Sequence, residues 1–274
     1  MPPVNPPIPR EDQLPHLASI SIYPVKSLEP VSLQQVRVLG SGALEGDRLL
    51  AMFDSEGKFV NGKRNPLVHV MRSAYDPLTR VLRLGRAETG LTAAFHVERQ
   101  REKIDAWLAE FFGIPVWLRS NTEVGFPDDL DCPGPTVIST ATLGEVAGWF
   151  APLDVRQMRI RFRANLEIGG VGPFWEDRLY GVKGSHVRFA IGDCLLDGNN
   201  PCQRCGVPPR DPFTGESNPQ FAKVFAEKRQ HTLPPWAEKS RFNHFYRLAV
   251  NTLVSPDQAG KTIRVGDEVK ICSV

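Results

Sequence analysis

Two thiols flank an arginine in Pro201-Cys202-Gln203-Arg204-Cys205-Gly206, and the run Val207-Pro208-Pro209-Arg210-Asp211-Pro212-Phe213-Thr214-Gly215 comes directly after. A thiolate is a soft ligand suited to a late or heavy metal, and a neighbouring guanidinium makes it easier to keep the sulfur ionised. Metal ligation is therefore the first chemistry this segment suggests. The spacing alone also allows zinc, a redox pair, an iron–sulfur fragment, one ligand beside a bystander, or two small buried thiols. A structural zinc site commonly uses two such pairs; there is no second pair, and neither His231 nor Cys194 stands at ligand spacing. A thioredoxin-like pair needs its first cysteine at the start of a helix, which Gly206, Pro208 and Pro209 forbid.

Cations and hydroxyls form the next group of candidates. Lys26 and Ser27 come after the apolar run Ile22-Tyr23-Pro24-Val25, and a lysine with a hydroxyl at a strand end can hold a phosphate oxygen by charge and hydrogen bond. Asp47-Arg48 precedes another strand, as a further anion contact or as a simple surface ion pair. The alternation of Met158 to Asn165 predicts a strand with Met158, Ile160 and Phe162 on one face and Arg159, Arg161 and Arg163 on the other. Three guanidiniums on one face need solvent or an anion across them. Asn165, with a Gly169-Gly170 turn after it, suits a strand end that opens into a pocket. The absence of Gly-x-Gly-x-x-Gly and of a phosphate loop counts against ordinary nucleotide enzymes.

These side chains must be positioned by a mostly β chain. Leu17 to Ile22, Leu49 to Asp54, Val68 to Ser73, Arg80 to Leu84 and Val116 to Arg119 read as strands between Gly, Pro or Asp turns. Glu102 to Phe112 reads as a helix stopped by Gly113. Thr142 with Glu145 reads as a capping box opening a second helix that ends before Pro152, and Gln220 to Lys228 as a third. The breaker run Cys132-Pro133-Gly134-Pro135 marks a junction between residues 15–133 and 134–274. The phrases Ile191-Gly192-Asp193-Cys194 and Val265-Gly266-Asp267-Glu268 read as hairpin turns.

The net charge of the 274 residues is only +2, from 33 Lys plus Arg against 31 Asp plus Glu, too small to argue for nucleic acid or an anionic membrane surface by bulk charge. Any anion binding must be local. The five cysteines, at 132, 194, 202, 205 and 272, are an odd number and argue for reduced thiols rather than a secreted disulfide framework. No apolar run approaches the roughly 18 residues that span a bilayer. The proline-rich residues 1–14 carry no signal core and are expected to form a disordered tail, so the expected location is the cytoplasm, away from membranes.

Taken in order, Tyr-Pro-Val-Lys-Ser at 23–27, Gly-Asp-Arg at 46–48, Arg-Phe-Arg-x-Asn at 161–165, Glu-Asp at 176–177, Ile-Gly-Asp at 191–193 and Cys-x-Arg-Cys with Asp-Pro-x-Thr-Gly after it resemble the MOSC superfamily. Within it the likeness is to molybdenum cofactor proteins typified by the mitochondrial amidoxime-reducing component and its bacterial relatives. The resemblance implies a mainly β chain with a few helices, an N-terminal β-barrel module packed against a MOSC β-barrel core, and a molybdopterin cofactor between them. It implies Cys205 as the molybdenum ligand, with Arg204 as its electrostatic support and Cys202 structural or without a role. Lys26, Ser27 and Arg48 would hold the cofactor's phosphate and pterin; Arg163, Asn165 and Ser139 would add contacts from the core.

The activity implied is reduction of N-hydroxylated compounds such as amidoximes, hydroxylamines or N-hydroxylated bases. The other reading is a sulfur-carrier, transfer or storage role like that of the MOSC domain attached to molybdenum cofactor sulfurases. Some bacterial relatives carry a C-terminal ferredoxin domain, whereas this sequence stops soon after Glu268 to Ile271. The expected electron donor is therefore a separate flavin reductase, ferredoxin or cytochrome-type protein. Gln203 also departs from the family, which often has a small residue there.

Overall fold

In the computed structural model, which describes residues 14–272, strands outnumber helices three to one. In chain order the strands are β1 (His16–Ile22), β2 (Val31–Leu33), β3 (Gln35–Arg37), β4 (Leu50–Phe53), β5 (Met71–Asp76), β6 (Val81–Arg86), β7 (Gly90–His96), β8 (Trp117–Ser120), β9 (Val137–Ser139), β10 (Leu166–Gly169), β11 (Val187–Ile191), β12 (Cys194–Gln203), β13 (Arg247–Leu253), β14 (Thr262–Arg264) and β15 (Val269–Ile271). The helices are α1 (Leu67–Val70), α2 (Arg101–Phe112), α3 (Thr140–Gly148), α4 (Val155–Phe162) and α5 (Phe221–His231). The chain is mainly β with a few helices. The proline-rich tail expected over residues 1–14 lies, but for its last residue, outside the described residues.

An eight-stranded sheet runs β15-β11-β12-β13-β9-β10-β1-β2, with β9 and β10 parallel and its other pairs antiparallel. Smaller sheets pair β14 with β3, β4 with β8, and β5, β6 and β7 in a meander. The break at 132–135 thus divides the sequence but not the sheets. β1, β2 and β3 are hydrogen-bonded into sheets shared with the C-terminal half. Because β1 is built into that distant sheet, the Tyr23-Pro24-Val25-Lys26-Ser27 segment at its end is anchored against the core. Leu17, Ile20 and Ile22 bury on the sheet with Phe189, Ile191 and Val250; β4 to β8 and α2 close a second apolar cluster around Leu84, Ile104 and Leu108. α3, α4 and α5 enclose a third around Phe162, Phe221 and Phe225.

Four local expectations are corrected. Residues 158–162 belong to α4, not a strand. Met-Arg-Ile-Arg-Phe satisfies a period of two, but Met158 and Phe162 also stand four apart and bury on one helix face. An Asp154–Gln157 capping box upstream starts the helix. The second helix begins earlier than Thr142, since Ser139 is its cap and accepts from Thr142 N (3.1 Å). Val68 to Ser73 is split between α1, opened by the Asn65 carboxamide accepting from Leu67 N (3.0 Å), and β5. Gly192-Asp193 does turn the β11–β12 hairpin, whereas Gly266-Asp267 joins strands of two different sheets.

Gly198, inside β12, is required by close approach: a Cβ there would lie 1.8 Å from the carbonyl oxygen of Leu179. Gly198 pairs with Val187 on one side and Thr252 on the other, so it cannot retreat without breaking the ladder. Gly198→Ala is expected to destabilise the chain by about 2–3 kcal/mol or more, read as a lower urea midpoint.

Candidate active-site cleft

A cleft of about 970 Å³ is lined by residues 26–30, 47–48 and 61–72 from the first half and by residues of α4, β12, the 204–212 loop and β13 from the second. Eleven Lys and Arg side chains line it against four Asp and Glu, so the cationic excess of a nearly neutral chain is concentrated here.

Tyr23 organises one end. Its ring carries the Arg163 guanidinium at 4.1 Å and that of Arg48 at 5.5 Å, while its hydroxyl donates to Ala164 O (3.2 Å). Burial pushes the Tyr23 pKa up to about 12, so the ring stays a neutral platform. Arg48 pairs with Asp47 and reaches Asp128 (3.6 Å) and Asn165 Oδ1 (3.5 Å). Burial opposes its charge, but Asp47 and Asp128 outweigh that and raise its pKa. Arg163 has no carboxylate partner among the described residues; it donates to Leu28 O (2.8 Å), and burial lowers its pKa. Among the described residues, Ser27, Arg48 and Arg163 account for three of the six non-glycine residues at positive φ (75°, 49° and 53°). Left-handed backbone concentrated at these positions is conformational strain held by its surroundings, as binding sites often require.

The other expected contacts differ. Lys26 lines the cleft, but its ammonium donates to Phe126 O (2.9 Å), Pro127 O (3.2 Å) and Asp128 Oδ1 (2.7 Å), which engages all three of its N–H groups. Burial lowers the Lys26 pKa, against Asp128, which raises it. In this arrangement Lys26 clamps the 126–128 loop. Asn165 is a seam: its oxygen accepts from Thr136 N (3.1 Å) and Oγ1 (3.2 Å), and its nitrogen donates to Ser21 O (3.0 Å), joining both halves of the chain. Ser139 is fully buried as the cap of α3 and does not line the cleft. Ser27 has a half-buried hydroxyl without a protein partner among the described residues.

The thiols owe their position to an irregularity in the main sheet. The β12–β13 register shifts between Pro201 and Gln203, and a shift of this kind re-aims a side chain and ends pairing. Cys202 and Cys205 both line the cleft and are both half-buried. Arg204 does not support Cys205 as expected: it donates to Cys202 Sγ (3.3 Å) and to Phe162 O (2.6 Å). Cys205 Sγ has no protein partner among the described residues. Its loop is braced instead by Tyr246, which donates to Cys205 O (3.3 Å), and by Arg161, which donates to Pro208 O (2.8 Å) and Arg210 O and pairs with Asp211 (3.5 Å).

The Asp-Pro-x-Thr-Gly motif then closes on itself. The Asp211 carboxylate accepts from Phe213 N and Thr214 N (both 2.9 Å), and Gly215 takes φ 77° close to Pro66 and His69. Arg72 reaches over from β5 to the Phe213 ring at 5.4 Å. Both halves of the chain therefore fix the loop that carries Cys205.

Among the described residues no three His, Cys, Asp or Glu side chains form a metal-holding group. A metal held by Cys205 must bring most of its donors with it, as a metal bound to an organic dithiolene does. Buried Nε atoms of Arg161 and Arg204, without a partner among the described residues, further suit an anionic guest. The residues present thus fit a molybdopterin.

A family model for the MOSC N-terminal beta barrel domain matches residues 14–116, and one for the MOSC domain matches residues 136–270. The chain belongs to the MOSC superfamily. Two curated relatives are molybdenum cofactor sulfurases. That of Caenorhabditis briggsae is 28% identical over 93 residues, 33% of this chain and 12% of the relative. That of Caenorhabditis elegans is 30% identical over 77 residues, 28% of this chain and 10% of the relative. This MOSC chain therefore matches about a tenth of the length of either. Among solved structures, the YUAD protein from Bacillus subtilis superposes with a TM-score of 0.40 at 9% identity over 96% of this chain and 97% of that one. A hypothetical protein gives 0.39 at 10% identity over 96% and 71%.

Behind the cleft, the Glu-Asp pair of the MOSC pattern lies in a buried network. Thr142 Oγ1 donates to Glu176 Oε2 (3.0 Å) and shares a hydrogen bond with Ser139 Oγ (2.8 Å), and Arg229 of α5 pairs with Asp177. Burial, and then the neighbouring Asp177, push the Glu176 pKa from 4.5 to about 7. Between those values the folded chain holds a proton that the unfolded chain has released. The contribution of Glu176 to stability should therefore fall as pH rises from about 4.5, with its full penalty of about 3 kcal/mol present above about pH 7. Glu176→Gln is expected to raise the melting temperature at pH 8 and leave it nearly unchanged at pH 4.5, as measured by thermal melts at both pH values.

Proposed function

We propose that this MOSC protein is a molybdenum cofactor-dependent oxidoreductase that reduces N-hydroxylated compounds, including amidoximes and hydroxylamines, with electrons from a separate redox partner. The observation that carries the reading is a half-exposed thiol, Cys205, without a protein partner among the described residues, in one cleft with Arg163, a buried cation that has no carboxylate partner among them. Cys205 would hold the metal. Arg163, Arg48 and the Ser27 hydroxyl would hold the phosphate and pterin, with Tyr23 as the platform beneath the two guanidiniums. Lys26 and Asn165 act through the 126–128 loop and the seam between the halves. When bound, the cofactor supplies a two-electron centre that accepts the substrate's oxygen. The overall conversion consumes two electrons from the partner and two protons from solvent, and releases the amidine or amine and water.

The protein's own contribution is orientation and charge. Arg163 and Arg48 are fixed before any anion arrives, so little ordering is needed on binding. The braced 205–215 loop holds Cys205 at the cleft, and the Arg204–Cys202 contact keeps the second thiol occupied. A sulfur-carrier or cofactor-transfer role is favoured by the names of the curated relatives and by that guanidinium-supported second sulfur.

The test is to make the protein in a host competent for molybdopterin synthesis, measure its molybdenum, and assay benzamidoxime reduction with an artificial donor. Stoichiometric metal with turnover supports the reductase. Bound cofactor without turnover favours transfer or storage, and absence of both refutes the cofactor reading.

A further inference from the structure

The cleft holds a second group of cations that the cofactor reading leaves unused. Arg241 and Arg247 are half-buried in it, and Lys183 stands exposed at its rim. None of the three makes an ion pair among the described residues. Arg247 donates to Pro201 O (3.0 Å) and Asn243 Oδ1 (2.8 Å), which fixes its plane while its buried Nε has no partner. Arg241 donates to Gly181 O and Val182 O (both 3.3 Å), and so holds the tight turn on which Lys183 sits.

This group is distinct from the one around Tyr23. Burial and then the Arg241 charge depress the Arg247 pKa, with Cys202 acting the other way; the charges acting on Arg163 are instead those of Tyr23, Arg48, Asp128 and Asp47. Like charges held near one another, partly desolvated and without a counter-ion are costly unless an anion completes them. A cofactor with one phosphate completes the Tyr23 group and leaves this one open on the Cys202 side of the cleft.

We propose that Lys183, Arg241 and Arg247 form a subsite for an anionic group, a carboxylate or phosphate, carried by the substrate. The inference rests on the reductase reading and adds to it a preference for N-hydroxylated compounds with a negatively charged tail, the N-hydroxyl end lying toward Cys205. A small ligand fits better than an acidic protein, because Arg241 and Arg247 are half-buried within the cleft and Lys183 is the exposed member of the group, at the rim.

Cofactor-loaded protein is offered benzamidoxime and 4-carboxybenzamidoxime with an artificial donor. The wild type should show a KM roughly tenfold to a hundredfold lower for the carboxylate. Arg241→Ala with Arg247→Ala should bring the ratio of the two KM values near one. Lys183→Ala, at an exposed position that does not endanger folding, should reduce the ratio severalfold. Inorganic phosphate binding to the same proteins, measured by calorimetry, gives a readout independent of turnover and should weaken in the variants.

If neither amidoxime is reduced, the reductase reading fails, while weaker phosphate binding by the variants still supports the subsite. Equal KM values for the two substrates in the wild type, or phosphate binding unchanged by the substitutions, would overturn it. A defect confined to assays with a protein electron donor would also overturn it, and would reassign the cluster to docking of an acidic partner.

Discussion

Asp177→Ala is expected to lower the stability of the chain by about 3–5 kcal/mol, the largest loss among the substitutions considered. Arg229 is 1% exposed, and its charge meets no carboxylate other than Asp177 among the described residues. Its guanidinium lies 4.2 Å from the Phe174 ring and 5.2 Å from that of Phe242, while Nε and Nη1 have no partner among the described residues. Removing Asp177 leaves a cation among aromatic faces, unable to reach water without opening the packing of α5. Urea unfolding monitored by circular dichroism reads the loss directly. Replacing both partners, Asp177→Leu with Arg229→Met, should recover most of it, because the cost lies in the uncompensated charge rather than in a missing contact. A double variant as unstable as the single one would show that the pair contributes through packing instead.

The same network shows why sequence gives some of this molecule and hides the rest. Glu176 and Asp177 are visible as a motif, but nothing in the spacing shows that Arg229 lies under them. Gln220 to Lys228 reads as a helix with an apolar stripe of Phe221, Val224 and Phe225; that Arg229, beyond its predicted end, turns inward depends on a carboxylate 52 residues away. The mainly β fold was legible because strand alternation and Gly or Asp turns are local signals. The strand misread over 158–162 had a local cause too, a pattern that fits both periods, and the Asp154–Gln157 capping box was the signal that would have resolved it.

For the site, residue type was informative and partnership was not. Lys26, Ser27, Arg48, Arg163, Asn165, Arg204 and Cys205 do converge on one cleft, drawn from segments up to 179 positions apart, because β1 pairs with β10 and carries the first segment with it. Their hydrogen bonds then divide them. Lys26 and Asn165 spend their polar groups on the protein, and Ser139 caps a helix. Tyr23 and Asp128 went without a role, although Tyr23 opens the Tyr-Pro-Val-Lys-Ser motif. A ring between two guanidiniums is a property of three dimensions, and Asp128 gives no periodic or motif signal. Against the cost of its burial, Arg48 and Lys26 hold the Asp128 carboxyl well below the usual carboxylate range.

The division of labour between the thiols gives the second large effect. Cys205→Ala, in protein made by a molybdopterin-competent host, is expected to retain molybdenum at a level reduced roughly tenfold or more. Folding should be spared, because Cys205 Sγ makes no hydrogen bond among the described residues and its loop is held by Tyr246, Arg161 and Asp211 through other atoms. Cys202→Ala removes only the sulfur contacted by Arg204, leaving that guanidinium bonded to Phe162 O. It should keep its metal. Metal analysis of both variants beside the wild type separates the roles: retention by the Cys205 variant and loss by the Cys202 variant would exchange them, making the arginine-supported sulfur the ligand. Loss from both would mean that the two sulfurs act together, and the cleft would then hold its metal by a pair of thiolates rather than by one.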